Sequence, residues 1–450
     1  MSRLIAVSRR AFGALVVLTL LPSLAHAHLG LRRSAPARGS RLAVAPTRIA
    51  LWFTARPQLA FSRLRLIGPN SDIALGSIVA DMADGFHADI PRVLAPGEYR
   101  VEWQTASADG HVARGEVAFV VEGASTTTVA PLVVREQNAP VPESHEGNSA
   151  YQGARWMEFV SLLVVLGALG FRHGVLPPLA ARGVPTSDAG DRARRLGRSF
   201  LILYAVAACI RLYDESVAVH GTELALAPAE LLPMVTTTLW GAGWALGLVG
   251  AFALFLGWTV SPRSVVIGTP LALAGGLGMA MSPALSGHAA SSRYVGLSIA
   301  FDVLHVTAAS VWLGGLFMVL VAGMPAMRRV ANDRDAVASL VNSFHPVALF
   351  CAPIVVIAGL GTTWLRVGAW SAMWGTPYGK TLLLKLGFFL LVAGMGAYNW
   401  LRARRRLNLG GVVGSFRVTA SIELLFAAVI LAVTTVLVTT PVPTEMIAHP

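Results

Sequence analysis

The chain has 450 residues, a net charge of +12, 54% hydrophobic residues and 13% charged ones, with a mean hydropathy of +0.61. That balance excludes a wholly soluble protein and puts most of the chain in a bilayer. The excess positive charge is arginine set between apolar runs, which fits membrane-flanking loops better than nucleic-acid binding.

The first 27 residues read as a secretory signal: Arg3, Arg9 and Arg10, then AFGALVVLTLLPSLA, then Ala25-His26-Ala27 as an A-x-A cleavage site. The SRRAF start also fits a twin-arginine signal, so the Sec and Tat routes both stay open. Cleavage after Ala27 makes His28 the mature N-terminus. It frees an α-amine beside an imidazole, a pair that suits tetragonal Cu(II).

Residues 28–121 alternate apolar and polar side chains, as in RLAVAPTRIALWF and FSRLRLIG, with Pro/Gly turns between the runs. This predicts a small all-β, Ig-like sandwich. Its last hairpin, EYRVEWQTASADGHVARGEVAFVV, has two alternating arms around Asp109-Gly110, a turn signal in its own right. The turn does not require His111, which follows. Together, His28, Asp109 and His111 are a candidate metal set of nitrogen and oxygen donors, whose affinity falls in acid because the ligands bind deprotonated. Residues 122–154, rich in Pro, Ser, Thr and Glu, read as a linker.

From 155 to 442 the sequence predicts an all-α polytopic bundle. Apolar runs near 156–176, 195–213, 234–258, 264–283, 297–321, 345–365, 379–401 and 417–439 are each long enough to cross about 30 Å of hydrocarbon. Arg182, Arg192, Arg194, Arg195 and Arg198 fall in and around the first connection, Arg328, Arg329 and Arg334 in the fifth, and Arg402, Arg404, Arg405 and Arg406 in the seventh. By the positive-inside rule these connections are cytoplasmic and the N-terminal domain lies outside. The two cysteines, Cys209 and Cys351, sit in apolar runs and offer neither a disulfide framework nor a CxxC site.

Polar residues inside spans are costly and therefore informative. Asp302 and His305 share a face of the fifth span near its outer end. His288 precedes that span in SGHAASS, and Met279 and Met281 end the fourth. Imidazole suits either copper state and thioethers favour Cu(I); packing is the competing role for the two methionines. Lys380 and Lys385 are the only lysines in the chain, and Lys385 needs a partner, for which Glu423 and Glu158 are candidates.

These parts resemble two known families. HLGLRRSAPARGS, IALWFTARP and LAPGEYRVEWQTASADGHVARGEVAFVV resemble the periplasmic copper-binding protein CopC. SGHA, FDVLHVTAASVWLGGL, TPYGKTLLLK, the asparagine of AYNWLR, and RVTASIELLFA resemble the copper-resistance membrane protein CopD. The CopC resemblance implies Cu(II) held by His28, Asp109 and His111. Some CopC proteins carry a second, methionine-rich Cu(I) site; the corresponding stretch here has only Met82 and His87, so that site is expected to be absent. The CopD resemblance implies a multi-pass protein of a bacterial inner membrane, with the sandwich in the periplasm and copper moving toward the cytoplasm.

The implied function is copper capture and delivery in copper homeostasis and resistance. Its partners are copper ions, the bilayer and other periplasmic copper carriers, with Cu(II) in the sandwich and Cu(I) an option in the bundle. The alternative is a membrane-anchored sequestration protein without transport. A copper oxygenase is disfavoured because the Asp109 carboxylate would occupy a position that oxygen chemistry needs open, so no enzyme activity is expected.

Overall fold

The computed structural model describes residues 30–53, 56–81, 84–106, 112–122, 149–287, 289, 294–329, 333–406, 413–440 and 442–443. The sandwich has two sheets. One runs in the order β1 (Leu31–Ala35), β3 (Arg48–Phe53), β7 (Gly85–Asp89) and β6 (Val79–Asp81). The other runs β2 (Arg41–Leu42), β9 (Val112–Val121), β8 (Gly97–Ala106), β4 (Arg63–Ile67) and β5 (Asp72–Ile73). All pairings are antiparallel except the short β2–β9 contact.

Alternation decides which side chains face inward. Tyr99, Val101 and Trp103 of β8 and Val117, Phe119 and Val121 of β9 point into a core shared with Leu51, Phe53, Leu66 and Phe86. Trp103 lies opposite Gly115. A Cβ on Gly115 would come within 2.5 Å of the Trp103 ring, so this indole fits only against a glycine. At the exposed ends of the central strands β3 and β7 the Arg48 guanidinium, 2.8 Å from Asp89, holds that carboxyl below the usual carboxylate range.

Eight described helices are long and apolar enough to cross a membrane. They are α1 (Ser149–Ala180), α2 (Ser187–His220), α4 (Leu239–Val260), α5 (Val265–Leu285), α6 (Val295–Met327), α7 (Asp333–Val367), α8 (Pro377–Arg406) and α9 (Val413–Thr439). A shorter helix, α3 (Pro228–Thr237), precedes α4. The third apolar run therefore resolves into two helices, parted at Thr238, whose Oγ1 accepts from Gly241 N at 2.9 Å and caps α4. Helix α1 starts at Ser149, inside the stretch expected as linker. Helix α2 outruns its apolar core at both ends; at its start, Asp188–Arg192 and Asp191–Arg194 pairs at 3.1 and 2.6 Å stabilise the charged first turns.

The helices approach closely where glycines face each other, the usual device of membrane bundles. A Cβ on Gly167 of α1 would overlap the Gly314 backbone of α6, and one on Gly314 would overlap the Leu163 carbonyl. At that crossing α6 widens into a π turn, Ser310–Gly314. The chain order leaves the arginine-rich connections at one end of the bundle. The other end carries the C-terminus of α2, α3, and the starts of α1, α4, α6 and α8, and there the sandwich sits.

Candidate metal centre

Strands β8 and β9 pair in unbroken register from Gly97–Val121 to Ala106–Val112. The hairpin therefore closes through residues 107–111. Asp109 and His111, like the leader and His28, lie outside the described residues, and so do His288 and Met82. What the structure does define is where the hairpin is docked. Ala106 and Val112, its last described residues on either side, are buried in one apolar cluster with Phe61, Val219 of α2, Met234 of α3 and Trp240 of α4.

Polar bonds fix the same seam. The last carbonyls of a helix have no partner within it. Here Gly221 N takes the Val217 carbonyl, Arg114 donates to the Ala218 carbonyl, and Gln104 Nε2 donates to the Val219 carbonyl at 2.6 Å. Gln104 Oε1 in turn accepts from Arg114 Nε at 2.7 Å. The sandwich thus caps α2, with a cation at the negative end of its dipole. Burial against the bundle pushes the Arg114 guanidinium below its ordinary value. Beside this cap, Arg63 Nη2 is 3.2 Å from Glu230 Oε2. His220 Nε2 lies 3.3 Å from the same oxygen, and His220 Nδ1 is 3.1 Å from Ser216 Oγ.

Under the seam lies a fully buried charge network. Arg211 of α2 holds Glu158 of α1 through both oxygens, at 3.1 and 3.2 Å, and Arg155 adds a third contact at 3.3 Å. Arg211 also reaches Ser286 Oγ at 3.4 Å, at the start of the SGHA stretch. Its guanidinium lies 5.1 Å from the Trp240 ring centroid, so Trp240 joins the apolar seam above to the charges below.

A second polar group lies across the same end. Asp302 of α6 is bound by Arg366 of α7 at 2.5 Å, and Arg366 also bonds Tyr378 of α8. His305 Nδ1 is 3.0 Å from the Val355 carbonyl. A carbonyl only accepts, so Nδ1 carries the proton and Nε2 keeps its lone pair for a metal or another donor. Lys385 lies within electrostatic reach of His305, Asp302 and Arg366. Two cations against one carboxylate repel an approaching metal ion unless a proton leaves.

The structure therefore brings Asp302 and His305 to one place but engages Asp302 with Arg366, which the sequence reading did not single out. Met279 is fully buried in the main bundle core and Met281 is half-buried. Lys385 does not meet either expected carboxylate: Glu158 is taken by Arg155 and Arg211, and Glu423 accepts from Asn399 Nδ2 at 3.4 Å. Among the described residues no three His, Cys, Asp or Glu side chains are grouped closely enough to hold a metal ion. His220 and Glu230 were missed because DESVAVHGTELALAPAE reads as an acidic loop, whereas its first part is the last turns of α2.

Residues 31–122 match the CopC domain, residues 146–295 the N-terminal domain of copper resistance protein D-like proteins, and residues 338–437 copper resistance protein D. The chain belongs to the CopC–CopD fusion family. Its CopC and CopD parts together align with the copper transport protein CutJ of Bacillus subtilis, at 24% identity over 416 residues, 88% of this chain and 72% of that protein. The CopC part aligns with protein YobA of Escherichia coli K12, at 32% identity over 118 residues, 25% of this chain and 94% of YobA. Two solved structures are similar to it. CopC of Methylosinus trichosporium OB3b is 22% identical, covering 22% of this chain and all of that one, with a TM-score of 0.21. PcoC, a methionine-rich copper resistance protein of Escherichia coli, is 27% identical, covering 21% and 100%, with a TM-score of 0.20.

Proposed function

We propose that this protein captures periplasmic Cu(II) on its CopC sandwich and passes copper directly into its CopD bundle, for transport across a bacterial inner membrane toward the cytoplasm. The observation that carries the reading is the docked hairpin. The strand ends that lead into Asp109 and His111 are buried against α2, α3 and α4, so a metal held there starts at the surface of the membrane domain. His28, Asp109 and His111 are the capture set. His288, Asp302 and His305 serve the bundle, with His305 Nε2 as donor and Asp302 neutralising Arg366. The arginine-rich connections at the end remote from the sandwich support a periplasmic sandwich. The copper is cargo, and no catalytic step is assigned.

Copper accumulation in cells tests this. Expression of the parent chain should raise cytoplasmic copper, and His111→Ala and His305→Ala should each return it to the level of cells without the protein. If the parent binds copper but cells accumulate none, the protein is an anchored sequestration device. Cu(II) EPR of the full chain tests the capture set, because one extra residue before His28 should change the spectrum. Identical spectra would rule out the amino-terminal ligand.

A further inference from the structure

We infer that His220, Glu230 and Met234 form a second copper site, the first acceptor for metal leaving the hairpin. The inference rests on the hand-off proposed above and names where the metal goes next. His220 is the last residue of α2, its side chain only 2% exposed, and Glu230 faces it with 34% exposure, so the pair is built yet reachable. Met234 stands one turn beyond Glu230 on the same face of α3. It is buried with Val219, the neighbour of His220, and with Ala106 and Val112 at the root of the hairpin. An imidazole and a carboxylate thus meet where the hairpin joins the bundle, with a thioether one helical turn from the carboxylate, a mixed set that accepts either copper state.

The geometry of the pair fits a metal. His220 Nε2 and Glu230 Oε2 are 3.3 Å apart. Two bonds of about 2.0–2.1 Å spanning that gap meet at roughly 105–110°, close to tetrahedral. Ser216 Oγ, 3.1 Å from Nδ1, orients the ring from behind, as the outer partner of a metal-bound histidine does. With Nδ1 donating to Ser216, Nε2 keeps its lone pair beside the carboxylate oxygen and the two can share a metal ion; with Nδ1 accepting from the Ser216 hydroxyl, the neutral ring donates Nε2–H to Glu230. Copper binding takes the place of that Nε2–H···Oε2 bond, the ring turning to its Nδ1–H tautomer so that no proton need be lost. Arg63 of the sandwich holds the same Glu230 oxygen at 3.2 Å, so loading the site sets a cation against Arg63 and loosens the sandwich there.

The test uses the full chain purified in detergent, titrated with Cu(II) and examined by equilibrium dialysis and X-ray absorption. In a His111→Ala background, which disables the hairpin set, adding His220→Gln should remove one bound copper equivalent and lower the imidazole scattering to what His288 and His305 contribute. Glutamine keeps an amide for Glu230 and Ser216 but is a poor copper ligand. Met234→Leu in that background should remove a sulfur shell, which keeps the inference open to refutation if the glutamine variant fails to fold. In cells, His220→Gln alone should abolish copper loading while the hairpin EPR signal stays as in the parent. If His111→Ala loads copper normally, the hand-off itself fails. If His111→Ala blocks loading but His220→Gln neither blocks it nor weakens binding, only the acceptor is overturned.

Discussion

Replacing Gln104 and Arg114 together with alanine should undock the sandwich without touching a copper ligand. Their side chains supply the two bonds that cap α2, Gln104 to the Val219 carbonyl and Arg114 to the Ala218 carbonyl. A neutral bond contributes about 0.5–1.5 kcal/mol and one to a charged group about 1.5–3 kcal/mol. Water resolvates the freed carbonyls at this part-buried seam, so the lower half of that sum, about 2–3 kcal/mol, is the better expectation. It corresponds to a fall of roughly 30- to 140-fold in the docking equilibrium, at about 1.4 kcal/mol per decade. The apolar cluster around Val219, Met234 and Trp240 remains to hold part of the population. Spin labels at exposed Val93 and Leu226, in a chain lacking Cys209 and Cys351, should give one narrow distance in the parent and a broad second population in the variant. Copper loading should drop in step, with the Cu(II) EPR signal unchanged. A distance distribution identical to the parent's would refute the capping argument, and full copper loading by an undocked chain would refute hand-off by contact.

Two further outcomes concern the bundle. Arg211→Met removes both contacts to Glu158 and leaves a buried carboxylate facing only Arg155; this should cost about 3–5 kcal/mol, read as loss of folded protein on heating in detergent. Adding Glu158→Gln should restore most of it, because the unpaired charge goes too, and a double variant no better than the single would contradict this account. Gly314→Leu should abolish the folded, monodisperse protein, since even its Cβ would overlap the Leu163 carbonyl of α1; normal size-exclusion behaviour of that variant would contradict the close α1–α6 crossing.

The sandwich, the eight spans and their order were legible because each rests on a periodicity that runs along one segment. Val101, Trp103, Val117 and Phe119 alternate whatever the rest of the chain does, and an apolar run of sufficient length has few alternatives in a bilayer. Partnerships across segments were not legible. Lys385 in isolation asks for a carboxylate, but the nearest claim on each candidate belongs to another residue: Arg211 takes Glu158 and Asn399 takes Glu423. Arg366 hid at the end of an apolar run, where an arginine ordinarily snorkels to the surface, and only the packing of α7 on α6 reveals that it binds Asp302. His220 was hidden for a different reason. Polarity made the end of α2 look like a loop, and its helical state depends on caps that come from the sandwich, more than a hundred residues earlier in the chain.

That dependence changes how the fusion works. A short flexible tether alone would hold a copper donor at roughly millimolar effective concentration near its acceptor, and the two domains could then be independent modules. Here the hairpin closes the backbone valences of α2, its arms bury Val112 and Ala106 against Trp240, and Trp240 stacks on the Arg211 that neutralises Glu158. The docked CopC domain is therefore part of the fold at the mouth of the bundle, and its separation exposes two helix carbonyls and an apolar patch at once. If the hairpin holds copper as proposed, the charge it adds lies next to a seam that reaches both domains, through Glu230 on one side and through Trp240 and Arg211 on the other. Loading and release of copper should accordingly change how tightly the sandwich is held, which a tether by itself cannot do.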